Sequence, residues 1–447
     1  MAQKYFGTDG IRGLVGKDRI TPEFCLRLSW AIGKVFADDS HRPHVLIGKD
    51  TRISGYMLES VLQSGFVSAG ADVSLLGPIP TPAIAYLTRA VSADVGVVIS
   101  ASHNPYYDNG IKLFDGKGNK LGDAVEQRIE AMIAASMICE SSESLGKASR
   151  IGDATGRYSE FCKNSVPRDF SLRGIKIVLD CAHGATYQVA PKVFTELGAD
   201  VVVMAAEPDG FNINERCGST HPEQLQQRVV EEAADLGIAF DGDGDRLIMV
   251  DASGALLDGD YLLYVIARSR HAKEMLTGGV VGTVMSNLGL ERALQVLAIP
   301  FVRARVGDRY IMEALHQRKW ELGGEPSGHI LTLDLCSTGD AIVAGLQVLV
   351  AMQDANLSLQ DLAAGVVKAP QVLVNVDVSS PEAVAQDQNL ISAIRNHEDF
   401  MGERGRILVR PSGTEPLLRI MVEGEDEAEV TRIAENLADQ ARSIKVA

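Results

Sequence analysis

The stretch GVVISASHNPYYDNGIK, residues 96–112, decides how the rest of the chain is read. Val97, Val98 and Ile99 are a short β-branched run, as a buried strand requires. The chain then turns polar through Ser100, Ser102, His103 and Asn104 and is closed by Pro105. Asp108-Asn109-Gly110 reads as a second turn, and residues 110–114 read as a return strand. Ser102 is therefore expected on a loop at the carboxyl end of a strand, where open α/β sheets place their chemistry. A hydroxyl beside an imidazole, with Lys112 nearby, suits a nucleophile. On this stretch alone, Ser, His and Asn as loop-capping residues fit equally well.

Working outward, 447 residues exceed one hydrophobic core, and about three or four domains are expected. The chain is 46% hydrophobic and 23% charged, enough to build such cores. No apolar run reaches the ~18 residues of a membrane span. The opening MAQKYFGTDG lacks the apolar centre of a secretory signal. Cys25, Cys139, Cys162, Cys181, Cys217 and Cys336 show no CxxC spacing. That argues against a zinc site or a disulfide framework, and a reducing cytoplasm is the expected location. The net charge of −16 makes nucleic acid a poor partner, whereas a few placed cations still suffice for a small anion.

Strands alternating with helices indicate mixed, largely parallel sheets. FGTDGIRG, residues 6–13, reads as a glycine-rich loop that can approach a ligand, with Arg12 as an anion contact or an ordinary surface arginine. Thr21-Pro22 opens a helix with Phe24, Leu28, Ala31, Ile32 and Val35 on its apolar face. The next strand ends in GKDTRISG, a polar loop containing Arg52 and Ser54. Thr81-Pro82 opens the helix leading to the Ser102 strand. A second segment repeats the rhythm, with a strand ending at Asp180 and a helix over 222–236. Its next strand ends in DGDGDR, residues 241–246.

DGDGDR is the strongest local signal. Asp241, Asp243 and Asp245 crowd like charges, costing roughly 3 kcal/mol per pair at about 5 Å and an effective dielectric near 20. A divalent cation relieves this, and hard oxygen ligands point to Mg²⁺. An EF-hand fails at its sixth position, Arg246, and at its twelfth, Ala252. A solvated acidic turn is the bland alternative, against which the apolar flanking strands argue. In a third segment GGEPSGH, residues 323–329, places Glu325, Ser327 and His329 so as to aim at one ligand, as a sugar-hydroxyl site needs. A hydrogen-bonded turn fits as well. The last segment is a small α+β domain with RPSGTEP, residues 410–416, in which Arg410, Ser412, Gly413, Thr414 and Arg419 suit a phosphate.

The four loops in this order resemble the α-D-phosphohexomutase superfamily over essentially the full length. ASHNP is similar to its phosphoserine loop, DGDGDR to its magnesium loop, GEPSGH to its sugar loop and RPSGTEP to its phosphate loop. FGTDGIRG, NIN with CGSTHPE (212–223) and VGDRY (306–310) are most similar to the bacterial branch acting on glucosamine phosphates.

The resemblance implies three similar α/β domains and a smaller C-terminal α+β domain around a central active-site cleft. The expected divisions are 1–153 (phosphoserine), 154–254 (metal), 255–369 (sugar) and 370–447 (phosphate). It implies interconversion of glucosamine 6-phosphate and glucosamine 1-phosphate through phosphorylated Ser102 and glucosamine 1,6-bisphosphate. Mg²⁺ would sit on Ser102, Asp241, Asp243 and Asp245. Arg12, Lys112 and Arg246 would stabilise the phosphoryl oxygens, and Lys112 or His103 would move the proton. Asp308, Glu325, Ser327 and His329 would contact substrate. A monomer or homodimer is expected, the homodimer preferred. A serine hydrolase would need GxSxG and a nucleotide kinase a P-loop, and neither is present. A sugar-phosphate sensor need not retain both Ser102 and the Asp triad. The nearest rival is a mutase of mannose or glucose phosphates.

Overall fold

The computed structural model describes residues 5–7, 9–37, 41–412 and 417–444. The chain divides into two compact units, one of residues 1–283 with 304–363 and one of residues 284–303 with 364–447.

The larger unit carries the α/β sheets. In the first, β1 (Ile11–Leu14), β2 (His44–Lys49), β3 (Asp72–Pro78), β4 (Val95–Ile99), β5 (Asp108–Asp115) and β6 (Ala148–Arg150) lie in the order β1-β5-β4-β2-β3-β6. Strands β2, β3, β4 and β6 are parallel, and β5 runs antiparallel to β4 and β1. All five residues of β4 are buried, as its β-branched run predicts. Helix Pro22–Phe36 begins as expected, with Thr21 accepting a hydrogen bond from the Phe24 N–H at 3.3 Å. Two expectations are corrected. Asp108-Asn109-Gly110 is not a turn but the start of β5, paired with Leu14, Gly13 and Arg12. Asn109 is buried and donates to Ser54 Oγ at 2.8 Å, so its amide is satisfied without a turn. Its partner β1 begins within the stretch read as a loop, residues 6–13.

The second sheet contains β7 (Lys176–Asp180), β8 (Asp200–Met204), β9 (Leu236–Phe240), β10 (Leu247–Asp251) and β11 (Leu256–Leu257), in the order β11-β10-β9-β7-β8. Strands β9 and β10 are antiparallel with Phe240 opposite Leu247, so DGDGDR is the connection of a buried hairpin. The helix expected over 222–236 ends at Glu231. Ala233 takes a left-handed φ of 47°, which stops the helix and leaves Leu236 to open β9.

In the third segment β12 (Val280–Thr283) pairs in parallel with β14 (Leu322–Gly324), which pairs antiparallel with β15 (Ile330–Thr332). GEPSGH connects β14 to β15. Strand β13 (Phe301–Ala304) falls at the division between the units.

The smaller unit has an antiparallel sheet of β16 (Gln371–Asp377), β17 (Gly405–Pro411) and β18 (Leu417–Gly424), in the order β16-β18-β17. Helix Glu427–Ser443 buries Val430, Ile433, Ala434, Leu437, Ala438 and Ala441, the i, i+3, i+4 stripe of an amphipathic helix. They pack with Val376, Leu418, Ile420 and Val422 of the sheet. Three α/β segments and a smaller C-terminal α+β segment are therefore the architecture, as the sequence predicts.

Candidate active site

Ser102 lies just beyond β4 and is fully buried. Its φ of 54° is in the left-handed region, unusual for a residue with a Cβ. This backbone turns Oγ toward β9 and β10, where it donates to Asp241 Oδ2 at 2.6 Å. His103 Nδ1 lies 3.2 Å from the same oxygen. Burial, then the charges of Arg246 and Arg12, push the His103 imidazole down to about 4, so the ring is neutral at neutral pH.

The three aspartates of the hairpin are buried and their oxygens lie within 4.8 Å of one another. Asp241 Oδ1 accepts from the Asp245 and Arg246 N–H groups, both at 3.1 Å. Burial and the charges of Asp245 and Asp243 raise the Asp241 carboxyl well above its usual range. Asp243 Oδ2 accepts from Thr81 Oγ1 at 2.6 Å and from Lys112 Nζ at 2.9 Å. Lys112 also reaches Asp245 Oδ2 at 3.2 Å and Asp9 at 3.2 Å. Burial opposes the Lys112 charge, but Asp243, Asp9 and Asp245 outweigh it and hold the ammonium. Among the described residues, Asp243 Oδ1 and Asp245 Oδ1 are buried without a hydrogen bond, His329 and Arg246 lying 3.7 Å from the latter. Such oxygens are costly unless something polar meets them. Hard, convergent, partly unsatisfied oxygens fit a small divalent cation.

Beside the triad is a cavity of about 430 Å³ whose walls include Asp9, Arg12, Arg246, Asp308, Glu325 and His329. Arg12 projects from β1, not from a loop, and pairs with Asp9. The Nε atoms of Arg12 and Arg246 are buried without hydrogen-bond partners among the described residues. Two guanidiniums with spare donors suit an anion. Glu325 Oε1 accepts from the Gly307 N–H at 3.1 Å, tying the sugar-type loop to the VGDRY loop. His329 lies 3.7 Å from Asp245 and 3.8 Å from Asp308. Burial works against its protonation, but Asp245 and Asp308 raise its basicity. Ser327 is exposed and is not a wall residue, its hydroxyl lying 3.3 Å from Glu325. The structure thus brings Ser102, His103, Lys112, Arg12, Arg246, the three aspartates, Glu325, His329 and Asp308 together and leaves Ser327 at the margin.

In the smaller unit, Arg410 on β17 stands opposite Arg419 on β18. Burial and the Arg419 charge lower the Arg410 basicity. Ser412 is buried at the end of β17. Gly413 and Thr414 lie outside the described residues.

Several site residues escaped the sequence reading. Asp9 was visible only as part of FGTDGIRG. Thr81, which looked like a helix cap, instead serves Asp243. Lys120, with no motif around it, pairs with Asp9 and Asp308, which line the cavity, and itself lines a smaller one.

Sequence profiles of the phosphoglucomutase/phosphomannomutase α/β/α domains I, II and III match residues 3–137, 157–254 and 258–369. That of the C-terminal domain matches residues 373–440. The chain belongs to the phosphoglucomutase/phosphomannomutase family. The superfamily resemblance carried by the four loops is borne out. A phosphoglucosamine mutase of Photorhabdus laumondii is 58% identical over 98% of this chain and 99% of its own. One of Pseudomonas fluorescens is 59% identical over 98% of each. A phosphoglucomutase/phosphomannomutase family protein of Burkholderia thailandensis has the same fold, with a TM-score of 0.82 at 24% identity over 99% of this chain and 98% of its own.

Proposed function

We propose that this chain interconverts glucosamine 6-phosphate and glucosamine 1-phosphate, feeding UDP-N-acetylglucosamine and cell-wall precursor synthesis. The observation that carries this reading is Ser102 Oγ, buried 2.6 Å from Asp241 in an Asp triad whose Asp245 lines a cavity together with Arg12 and Arg246, in a chain 58% identical to a phosphoglucosamine mutase. Phosphorylated Ser102 gives its phosphoryl group to the free sugar hydroxyl. The P–O bond to Oγ breaks, a P–O bond to the sugar forms, and the hydroxyl proton leaves for a base. The resulting glucosamine 1,6-bisphosphate reorients and returns its other phosphoryl group to Ser102.

Asp241, Asp243 and Asp245, with an oxygen of phosphorylated Ser102, would hold Mg²⁺, which supplies charge neutralisation at the phosphoryl group. Lys112, held charged, and the guanidiniums of Arg12 and Arg246 act on the remaining oxygens. His103, neutral and 3.2 Å from Oγ, passes the proton to and from the serine. Glu325 and His329 face the sugar, with Ser327 and Asp308 supporting them, and Arg410, Ser412, Gly413, Thr414 and Arg419 take the distal phosphate. The functional division follows 1–153, 154–254, 255–369 and 370–447. No helix of the described residues is long and apolar enough to cross a membrane. A cytoplasmic homodimer that binds neither nucleic acid nor membrane is part of the proposal.

The test is a side-by-side coupled assay of glucosamine 6-phosphate, glucose 1-phosphate and mannose 1-phosphate, with intact-mass measurement of the enzyme. One phosphate on Ser102, a preference for the amino sugar and inactivity of Ser102→Ala are expected. An active, unphosphorylated Ser102→Ala variant would end the phosphoserine mechanism. Preference for mannose or glucose phosphate would move the assignment to another branch of the family.

A further inference from the structure

The backbone of Ser102 is held on both sides by residues that do not touch its hydroxyl. Its N–H donates to Ser100 Oγ at 2.9 Å, and Ser100 Oγ donates to Asp50 Oδ2 at 2.6 Å. Its carbonyl accepts from Arg52 Nη2 at 2.8 Å and from Asn214 Nδ2 at 2.9 Å. The same two donors reach the Asn104 carbonyl at 2.8 and 3.1 Å. Arg52 Nη1 bonds the Pro105 carbonyl and lies 3.2 Å from that of Asp108. Arg52 Nε closes the set on Asp50 Oδ2 at 2.8 Å.

We infer that Arg52 and Asn214 are positioning residues that fix the backbone of Ser102 and thereby aim its phosphoryl group. This rests on the mutase reading above. Arg52 is fully buried, and a buried guanidinium is tolerated only when its donors are satisfied. Here one partner is a carboxylate and the others are carbonyls of residues 102–108, the loop that carries the nucleophile. They hold Ser102 in its left-handed conformation, which a residue with a Cβ keeps only when its surroundings over-determine it. The metal-type hairpin closes on the same carbonyl, because a Cβ on Gly242 would lie 2.5 Å from the Ser102 oxygen. The grip is on the main chain, so it is the same whether Oγ carries a phosphoryl group or not. A serine that must give up and recover a phosphoryl group in each turnover requires that constancy. Because neither donor reaches Oγ or the cavity wall, their loss should act on the chemical step and not on substrate binding.

The experiment compares wild type, Arg52→Lys and Asn214→Ala in steady-state kinetics, melting temperature and the ³¹P resonance of phosphorylated Ser102. Lysine keeps the charge but cannot span the four carbonyls. A displacement near 1 Å costs roughly 10²-fold in rate, so Arg52→Lys should lose about that in kcat, and Asn214→Ala about tenfold. KM should stay within about threefold, and the single ³¹P resonance should broaden or split. If Arg52→Lys does not fold, Asn214→Ala decides alone. Wild-type kcat in the folded variants, or activity lost in step with melting temperature while the resonance is unchanged, would overturn the inference. A wild-type enzyme with neither turnover nor a phosphoserine signal would remove the mutase reading itself.

Discussion

Asp243 shows how little of this site is a matter of net charge. Its Oδ2 is already met by Thr81 and Lys112, while its Oδ1 is buried without a hydrogen bond among the described residues. Lys112 neutralises part of the triad's charge. Phosphorylation of Ser102, adding close to −2 charge, renews the demand for one. Mg²⁺ should therefore raise the melting temperature by a few degrees at saturation, more in the Ser102-phosphorylated protein than in the dephosphorylated one. Asp243→Asn should abolish that rise, and equal shifts in all three forms would show that the triad is not the cation site. Asp340 allows a second measurement away from the chemistry. Its Oδ1 caps helix Ala341–Ala355 by accepting from the Val343 N–H at 3.0 Å, and Oδ2 accepts from the buried Tyr158 hydroxyl at 2.9 Å. Burial raises this carboxyl to about 6, against backbone and Tyr158 bonds that favour ionisation. A carboxyl raised in the folded state binds its proton more tightly there, so its contribution to stability is full at low pH and falls from about pH 4 to pH 6. Asn at this position keeps the cap without titrating. Relative to Asp340→Asn, wild type should lose on the order of 1–3 kcal/mol across that window, read as a narrowing or reversal of the melting-temperature difference. Parallel curves would show that Asp340 does not titrate there.

At the scale of elements, the β14–β15 connection shows what a loop motif must satisfy besides chemistry. Gly328 takes a φ of +88°, and its carbonyl accepts from the Leu247 N–H at 3.1 Å, joining the sugar-type loop to the start of β10. A Cβ there would overlap the Leu247 carbonyl. Gly328→Ala should therefore lose several kcal/mol of stability and raise KM by displacing Glu325 and His329, beyond the ~1 kcal/mol of an ordinary glycine substitution. Wild-type stability and KM would mean that the two strands are not braced through this residue. Much of this level was legible in the sequence, because apolar runs ending in polar, glycine-punctuated loops mark strand ends. Strand β1 was not, since Ile11-Arg12-Gly13-Leu14 has no run of its own and forms a strand only by pairing with β5. The early end of helix Glu223–Glu231 was hidden because Ala233 carries no turn signal yet sits at positive φ. The site was legible loop by loop. Its assembly was not: Ser102 meets Asp241 across 139 positions of sequence, and the Arg52 grip depends on carbonyls, which carry no residue signature.

At the scale of the whole molecule, the proposed reaction sets a requirement that no single sheet meets. Glucosamine 1,6-bisphosphate must present first one end and then the other to Ser102, and in both poses a second phosphate lies at the far end of the sugar. Its holder must accept either orientation. In the smaller unit Arg410 and Arg419 stand directly opposite on β17 and β18, an arrangement of like charges that destabilises a bare sheet. A phosphate between them would remove that repulsion, so this hairpin is suited to an anion irrespective of what the anion is attached to. Arg410→Ala should then lower kcat/KM in both reaction directions by comparable factors, roughly 10- to 100-fold for a hydrogen bond to a charged group. Remote binding energy of this kind serves the chemical step as well as affinity. The variant should also release glucosamine 1,6-bisphosphate before it has reoriented, and so need more added bisphosphate for full activity. Both directional rates and the free bisphosphate per turnover check this. Loss in one direction only would make Arg410 a contact of one sugar pose, and unchanged kcat/KM with no added release would place the distal phosphate elsewhere.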